Sequence, residues 1–138
     1  MLDRNVTRWR LLPPVILEKI GSVILVVEDE ALVRLAAIGV LKDAGFRMIE
    51  AMNSARALEI LAADSNVQLL FTDINMPGAI DGLALARLVR LRWPHIAILI
   101  ASGKRSPPPE ELPVGSRFEQ KPYNPDTIVR HARELTAA

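Results

Sequence analysis

Val23-Ile24-Leu25-Val26-Val27 runs directly into Glu28-Asp29-Glu30. Five consecutive apolar residues, mostly β-branched and without alternation, are the pattern of a strand buried on both faces. Such strands belong to parallel sheets covered by helices on either side. The three acids then mark the strand's carboxyl end. Downstream the pattern repeats. Glu30 to Ala44 is apolar-rich and free of proline, with Gly45 as a helix stop. Arg47 to Ala51 reads as a weaker second strand, and Asn53 offers an N-cap for a helix through Ala63. Gln68 to Thr72 is a third strand ending at Asp73, followed by a Pro77-Gly78 turn. Leu83 to Trp93 is a helix that must stop before Pro94. Ile96 to Ala101 and Arg117 to Gln120 complete five strands, and Asn124-Pro125-Asp126 opens a last helix that runs to about Thr136. Strands alternating with helices predict an α/β fold: a doubly wound, five-stranded parallel sheet with helices on both faces.

One segment breaks the alternation. Where a helix is due between the last two strands, the chain reads Lys104-Arg105-Ser106-Pro107-Pro108-Pro109-Glu110-Glu111-Leu112-Pro113. Consecutive prolines remove backbone donors and favour extended geometry. An extended crossover is predicted, with at most one helical turn at Glu110–Leu112.

Composition bounds the rest. The chain has 138 residues, half of them hydrophobic, which suits one domain with a proper core. Its net charge is +1, against a dedicated nucleic-acid binder. With no cysteine, disulfides, thiolate metal sites and cysteine nucleophiles are excluded, and a reducing compartment, the cytoplasm, is expected. No apolar stretch approaches the ~20 residues of a membrane span. Residues 1–21 hold four basic and two acidic side chains. They read as an N-terminal extension, with Leu11, Val15, Ile16 and Ile20 available to pack on a body of residues 22–138. The Pro13-Pro14 pair argues against a signal peptide there.

Open parallel sheets bind ligands at the carboxyl ends of their strands. Those ends carry Glu28, Asp29 and Glu30, then Asp73, then Ser102-Gly103, then Lys121-Pro122. Crowded carboxylates repel, and a hard divalent cation relieves that repulsion. A carboxylate can attack phosphorus, and a lysine, a metal and a hydroxyl stabilise the anionic group transferred. Each residue also has a simpler reading. Glu28 and Asp29 could favour the next helix through its dipole, Ser102 could be a turn serine, and Lys121 a solvated charge. Arg87, Arg90 and Arg92 read as the wet face of a helix, His95 and His131 as too isolated for a metal site, and Trp9 and Trp93 as packing residues.

At these positions the sequence resembles the receiver domains of bacterial two-component response regulators, over about residues 22–138. The matching pieces are Val-Val-Glu-Asp-Glu at 26–30, Thr-Asp-Ile-Asn-Met-Pro-Gly at 72–78 with Asp81-Gly82, Ala-Ser-Gly at 101–103 and Lys121-Pro122-Tyr123. The key residues lie 44 (Asp29 to Asp73), 29 (Asp73 to Ser102) and 19 (Ser102 to Lys121) apart. The resemblance implies a flavodoxin-like strand order 2-1-3-4-5, with the fourth helix missing or rudimentary. It implies that Asp73 is the phosphoacceptor. Mg²⁺ or Mn²⁺ would be ligated by Asp29, Asp73 and the Asn75 backbone carbonyl, with Glu28 acting through a water. Ser102 would bond the phosphoryl group, Lys121 would pair with it, and Lys121-Pro122 would be cis.

The family's partners would be a sensor histidine kinase or histidine phosphotransfer protein and a downstream protein, with neither nucleic acid nor membrane contacted directly. The expected form is a stand-alone receiver that signals by altered protein binding or relays phosphate, not a turnover enzyme. Two rival readings are a non-phosphorylated pseudo-receiver and an aspartate-nucleophile phosphatase. Against the phosphatase, Asn75 occupies the place of its second aspartate. The sequence departs from the pattern at Phe118, where the family often has a tyrosine switch, in the Pro-rich crossover, and by one extra residue in the 77–82 turn.

Overall fold

A computed structural model describes residues 22–63, 66–104 and 106–137. The first apolar run forms β1 (Val23–Val27), buried along its whole length. Then follow α1 (Ala31–Asp43), β2 (Arg47–Ala51), α2 (Ser54–Ala62), β3 (Val67–Asp73), α3 (Gly82–Arg92), β4 (Ala97–Ser102), β5 (Arg117–Gln120) and α4 (Pro125–Thr136). All strand pairs are parallel, in the order β2-β1-β3-β4-β5. This is the doubly wound sheet the alternation predicts.

The unbroken hydrophobicity of the central strands is explained by two cores, one per face. Successive side chains point to opposite faces. Leu25, Val27, Leu70, Ile98 and Ile100 meet α2 and α3. Ile24, Val26, Leu69, Phe71 and Leu99 meet α1 and α4 through Ala37, Leu41, Ile128 and Ala132. Three of the four packing helices, α2, α3 and α4, are fixed at their starts by side-chain caps. Asn53 Oδ1 accepts from Arg56 N at 2.8 Å, Asp81 Oδ1 from Ala84 N at 2.9 Å and Asn124 Oδ1 from Asp126 N at 2.8 Å. Such caps are each worth about 1 kcal/mol. The Asp81 cap moves the start of α3 to Gly82, one residue before the sequence reading.

Among the described residues between β4 and β5, the only helical piece is a 3₁₀ turn at Pro109–Glu111. It lies one residue before the expected position. Arg87 and Arg92 are exposed, as a wet helix face requires, but Arg87 and the half-buried Arg90 also tie backbone carbonyls on this side of the molecule. Arg87 donates twice to the Glu111 carbonyl, at 2.8 and 3.2 Å. Arg90 donates to the carbonyls of Ile96 and Pro94, at 2.8 and 3.1 Å. Trp93 packs on the α2–α3 core, as expected. Residues 1–21, with Trp9 and the proposed packing of Leu11, Val15, Ile16 and Ile20, lie outside the described residues.

Leu41 is fully buried in the α1–α4 core. Leu41→Ala should therefore lower unfolding stability by about 2–5 kcal/mol. Leu32→Ala, on the exposed side of the same helix, should change it by less than about 0.5 kcal/mol. Urea unfolding of the two variants measures both.

Candidate functional site

The parallel register assembles the site. Val27 pairs with Thr72, Asp73 with Ala101, and Ser102 with Gln120. Glu28, Asp73, Ser102 and Lys121 each stand at or one residue beyond these pairs, so four strands deliver their last residues to one edge. Strand order reverses between β1 and β3, where α/β sheets of this kind form their crevice. Glu28, Asp73, Lys121 and Tyr123 line a small cleft there.

Glu28, Asp29 and Asp73 each present a carboxylate oxygen, all within 4.8 Å of one another. Glu28 is buried, while Asp29 and Asp73 are half-buried. The Lys121 ammonium lies 2.6 Å from Glu28 Oε1 and 3.4 Å from Asp73 Oδ1. Glu28 Oε2 also accepts from Glu30 N at 3.2 Å, at the start of α1. Glu28 thus contacts both the start of α1 and the lysine of the cluster. The Arg34 guanidinium donates to the Glu28 carbonyl at 2.8 Å and pairs with Glu50 at 3.2 Å, anchoring this strand end to α1.

Ser102 is fully buried, and its hydroxyl accepts from Asn75 Nδ2 at 3.0 Å. Its carbonyl accepts from Lys121 N at 2.9 Å, joining β4 to the lysine. The Lys121-Pro122 peptide is cis. Phe118, on β5, is half-buried and packs on the α2–α3 core. His131 joins no metal-holding group among the described residues, as expected, but it has partners. Its Nε2 lies 2.8 Å from Glu119, and its Nδ1 3.2 Å from Arg117. These contacts link α4 to β5, away from the carboxylates.

Burial sets the electrostatics. It pushes the Glu28 and Asp73 carboxyls above their ordinary values, and the nearby Lys121 ammonium pulls both back only in part. Burial pulls Lys121 down, but its bond to Glu28 and the Asp73 charge outweigh this, so it ends above the ordinary lysine value. Burial likewise raises the Tyr123 hydroxyl. Three acids against one ammonium leave an excess of negative oxygen at this edge. That donor set, all hard oxygen, fits Mg²⁺ or Mn²⁺.

Three residues within the quoted motif pieces make contacts that the motif itself does not show. A Cβ added to Gly82 would stand 1.6 Å from the Asp73 carbonyl oxygen and 2.9 Å from Thr72 Oγ1. The start of α3 therefore presses directly on the backbone that carries Asp73, and Gly82 N donates to Ile74 O at 2.9 Å. Thr72 Oγ1 donates to the Asp73 carbonyl at 2.9 Å. The available signal was a glycine in the first turn of a helix, a place where it costs stability without a conformational need. The family resemblance points only to the Asn75 carbonyl, whereas its side-chain amide donates to Ser102.

Comparison with known proteins agrees with this geometry. The family model for the response regulator receiver domain matches residues 24–133. An NtrX-like response regulator of Rickettsia bellii is 33% identical over 120 residues, covering 82% of this chain and 25% of the relative. The aerobic respiration control protein ArcA of Escherichia coli is 31% identical over 115 residues, covering 81% and 47%. The chain thus spans about a quarter to a half of the length of these curated relatives. A response regulator receiver protein of Sinorhizobium medicae superposes with a TM-score of 0.79 at 27% identity, covering 83% of this chain and 94% of that one. The chain belongs to the receiver domain family of two-component response regulators. Among the described residues, no helix is long and apolar enough to cross a membrane.

Two outcomes follow from the geometry. Gly82→Ala should cost about 1–3 kcal/mol or more, because backbone must move to admit the methyl group. Urea unfolding measures that cost, and the chemical shifts of Thr72 and Asp73 report the displacement. In the metal-free chain, Glu28 and Asp73 have raised folded values. Their contribution to stability is present below the unfolded carboxyl values and is lost as pH rises through the raised ones. Between about pH 4 and pH 7 the native chain should therefore lose stability relative to Asp73→Asn, with Mg²⁺ restoring it at neutral pH. Lys121, also raised, keeps its contribution until pH exceeds the ordinary lysine range.

Proposed function

We propose that this receiver accepts one phosphoryl group on Asp73, from the phosphohistidine of a sensor kinase or histidine phosphotransfer protein. It then signals through altered binding to a downstream protein or passes the group on. The observation that carries this reading is the Asp73 carboxylate, half-buried at the end of β3, 3.4 Å from Lys121 and clustered with Glu28 and Asp29. An Asp73 oxygen lone pair forms the new O–P bond. The donor's P–N bond breaks, and its electron pair returns to the imidazole nitrogen. The product is an acyl phosphate and a free histidine.

The chain's residues divide the work. Asp29, Asp73 and the Asn75 carbonyl would hold a divalent cation, with Glu28 acting through a water. When bound, that cation supplies positive charge to offset the crowded acids and the phosphoryl oxygens. Lys121 stands between Glu28 and Asp73 and is closer to Glu28. Swinging toward a phosphoryl oxygen on Asp73 needs only a small side-chain movement. Ser102 begins with its oxygen accepting from Asn75, so its own proton is directed elsewhere. That proton is the one it would donate to a phosphoryl group on Asp73, and Phe118 on the neighbouring strand packs on the α2–α3 core. The domain boundary we adopt is residues 22–138, and the setting is the cytoplasm.

Intact-mass measurement with acetyl phosphate and Mg²⁺ tests the assignment. One phosphoryl addition is expected on the native chain, with none on Asp73→Asn and none when the cation is chelated. Equal labelling of both proteins would reject Asp73. No addition from acetyl phosphate or a phosphorylated phosphotransfer protein would leave a non-phosphorylated interaction module. Sustained phosphate release from unrelated phosphomonoesters would mark a phosphatase.

A further inference from the structure

Glu28 and Asp29 sit in a turn that the sheet itself does not hold. The last paired residue of β1 is Val27, matched with Ala51 and Thr72. Two residues after Asp29 the chain enters α1 at Ala31. Of the four helices described, α1 alone starts without a side-chain cap: Glu30 stands at its N-cap position and makes no such bond. A turn fixed by neither ladder nor cap has peptide planes free to rotate. Three contacts close it instead. Glu28 N donates to the Ala51 carbonyl at 3.1 Å, which fixes the peptide before Glu28. Glu30 N donates to Glu28 Oε2 at 3.2 Å. The Glu28 carbonyl accepts from Arg34 Nη1 at 2.8 Å, which fixes the peptide that leads into Asp29.

Arg34 has the chemistry this contact needs. Its side chain is only 15% exposed, and a guanidinium so covered needs partners. It has two. Besides Nη1 on the Glu28 carbonyl, its Nε donates to Glu50 Oε1 at 3.2 Å. Glu50 stands beside Ala51 at the end of β2. One planar group therefore joins α1, the end of β2 and the peptide between Glu28 and Asp29. Its donors form a rigid fork, so a direction set at Glu50 is passed on to Glu28. A lysine, with one rotatable ammonium, has no such fork.

Building on the cation site proposed for Glu28, Asp29 and Asp73, we propose that Arg34, oriented by Glu50, is a positioning residue for that site. It holds the Glu28–Asp29 peptide so that both carboxylates already meet Asp73 before a divalent cation arrives. Groups that orient metal ligands in this way are worth about 10–100-fold in affinity. Charge and geometry give opposite signs for the loss of Arg34. As a charge, the guanidinium repels a cation, so its removal would tighten binding. As a positioning group, its removal leaves the turn to be ordered when the cation enters, so binding weakens.

Mn²⁺ binding to the full, unphosphorylated chain is read from the loss of the free-ion electron paramagnetic resonance signal, beside urea unfolding of the metal-free chain. Arg34→Ala should raise the half-saturating Mn²⁺ concentration about tenfold or more. Arg34→Lys keeps the charge but reaches one partner at a time, and should recover part of the loss. Glu50→Ala should weaken binding several-fold, while Glu50→Gln, which still accepts from Nε, should bind as the unsubstituted chain does. Added to Arg34→Ala, Glu50→Ala should change nothing further, because Glu50 acts through the arginine. Unchanged or tighter binding by Arg34→Ala would overturn the proposal and leave the guanidinium a structural tie whose loss shows only in urea. Equal weakening by Glu50→Ala and Glu50→Gln would assign the effect to the Glu50 charge and also overturn it. The two Glu50 variants, at a half-exposed side chain, decide alone if the Arg34 variants fail to fold. No binding of Mn²⁺ by the unsubstituted chain would reject the cation site itself, and the positioning role with it.

Discussion

The constraint on which the rest depends is like-charge crowding at one sheet edge. Glu28, Asp29 and Asp73 bring their oxygens within 4.8 Å, and Lys121 is the ammonium placed among them. Left to relax, these groups would separate into water. They are held because each follows a strand that cannot slide. A one-residue slip in a parallel sheet would turn every buried side chain to the other face. Burying a Leu or Ile side chain is worth roughly 1.5–3 kcal/mol. Ile24, Leu25, Leu69, Leu70, Ile98, Leu99 and Ile100 are fully buried across the central strands. Several such side chains together offset the several kcal/mol that each desolvated charge costs. The core thus stores an electrostatic imbalance that a cation, or a change of charge at Asp73, can relieve.

The same logic explains how far the sequence could be read. β1, β2 and β5 lie where their apolar runs or neighbouring turns place them, and α4 starts at the Asn124 cap. β3 extends beyond its expected ends because Val67 and Asp73 still pair with β1 and β4. The strand ends that carry Glu28, Asp73, Ser102 and Lys121 all reach one edge, since a parallel register turns sequence position into spatial adjacency. Pairings across strands were not legible. Nothing local indicates that Lys121 sits closer to Glu28 than to Asp73, or that Asn75 reaches Ser102, 27 positions away. Gly82 is similar. Its role is to lack a side chain where α3 meets Asp73, and such a role shows only in three dimensions.

The crossover between β4 and β5 illustrates order without a regular helix. A proline run carries little backbone entropy to lose, because φ is already fixed. Its ring nitrogens need no partners, but its carbonyls and those that follow do. Arg87 supplies two donors to Glu111, and Ser116 donates to Pro113 from both backbone and side chain, at 3.1 and 2.6 Å. Pro107 is buried, and Leu112, like Phe118, packs on the α2–α3 core. The segment is therefore tied to α3 at one point and to the core of β5 at another. This part of the surface thus has its outline set by packing on the core that Phe118 also joins and by bonds to α3, without a regular helix.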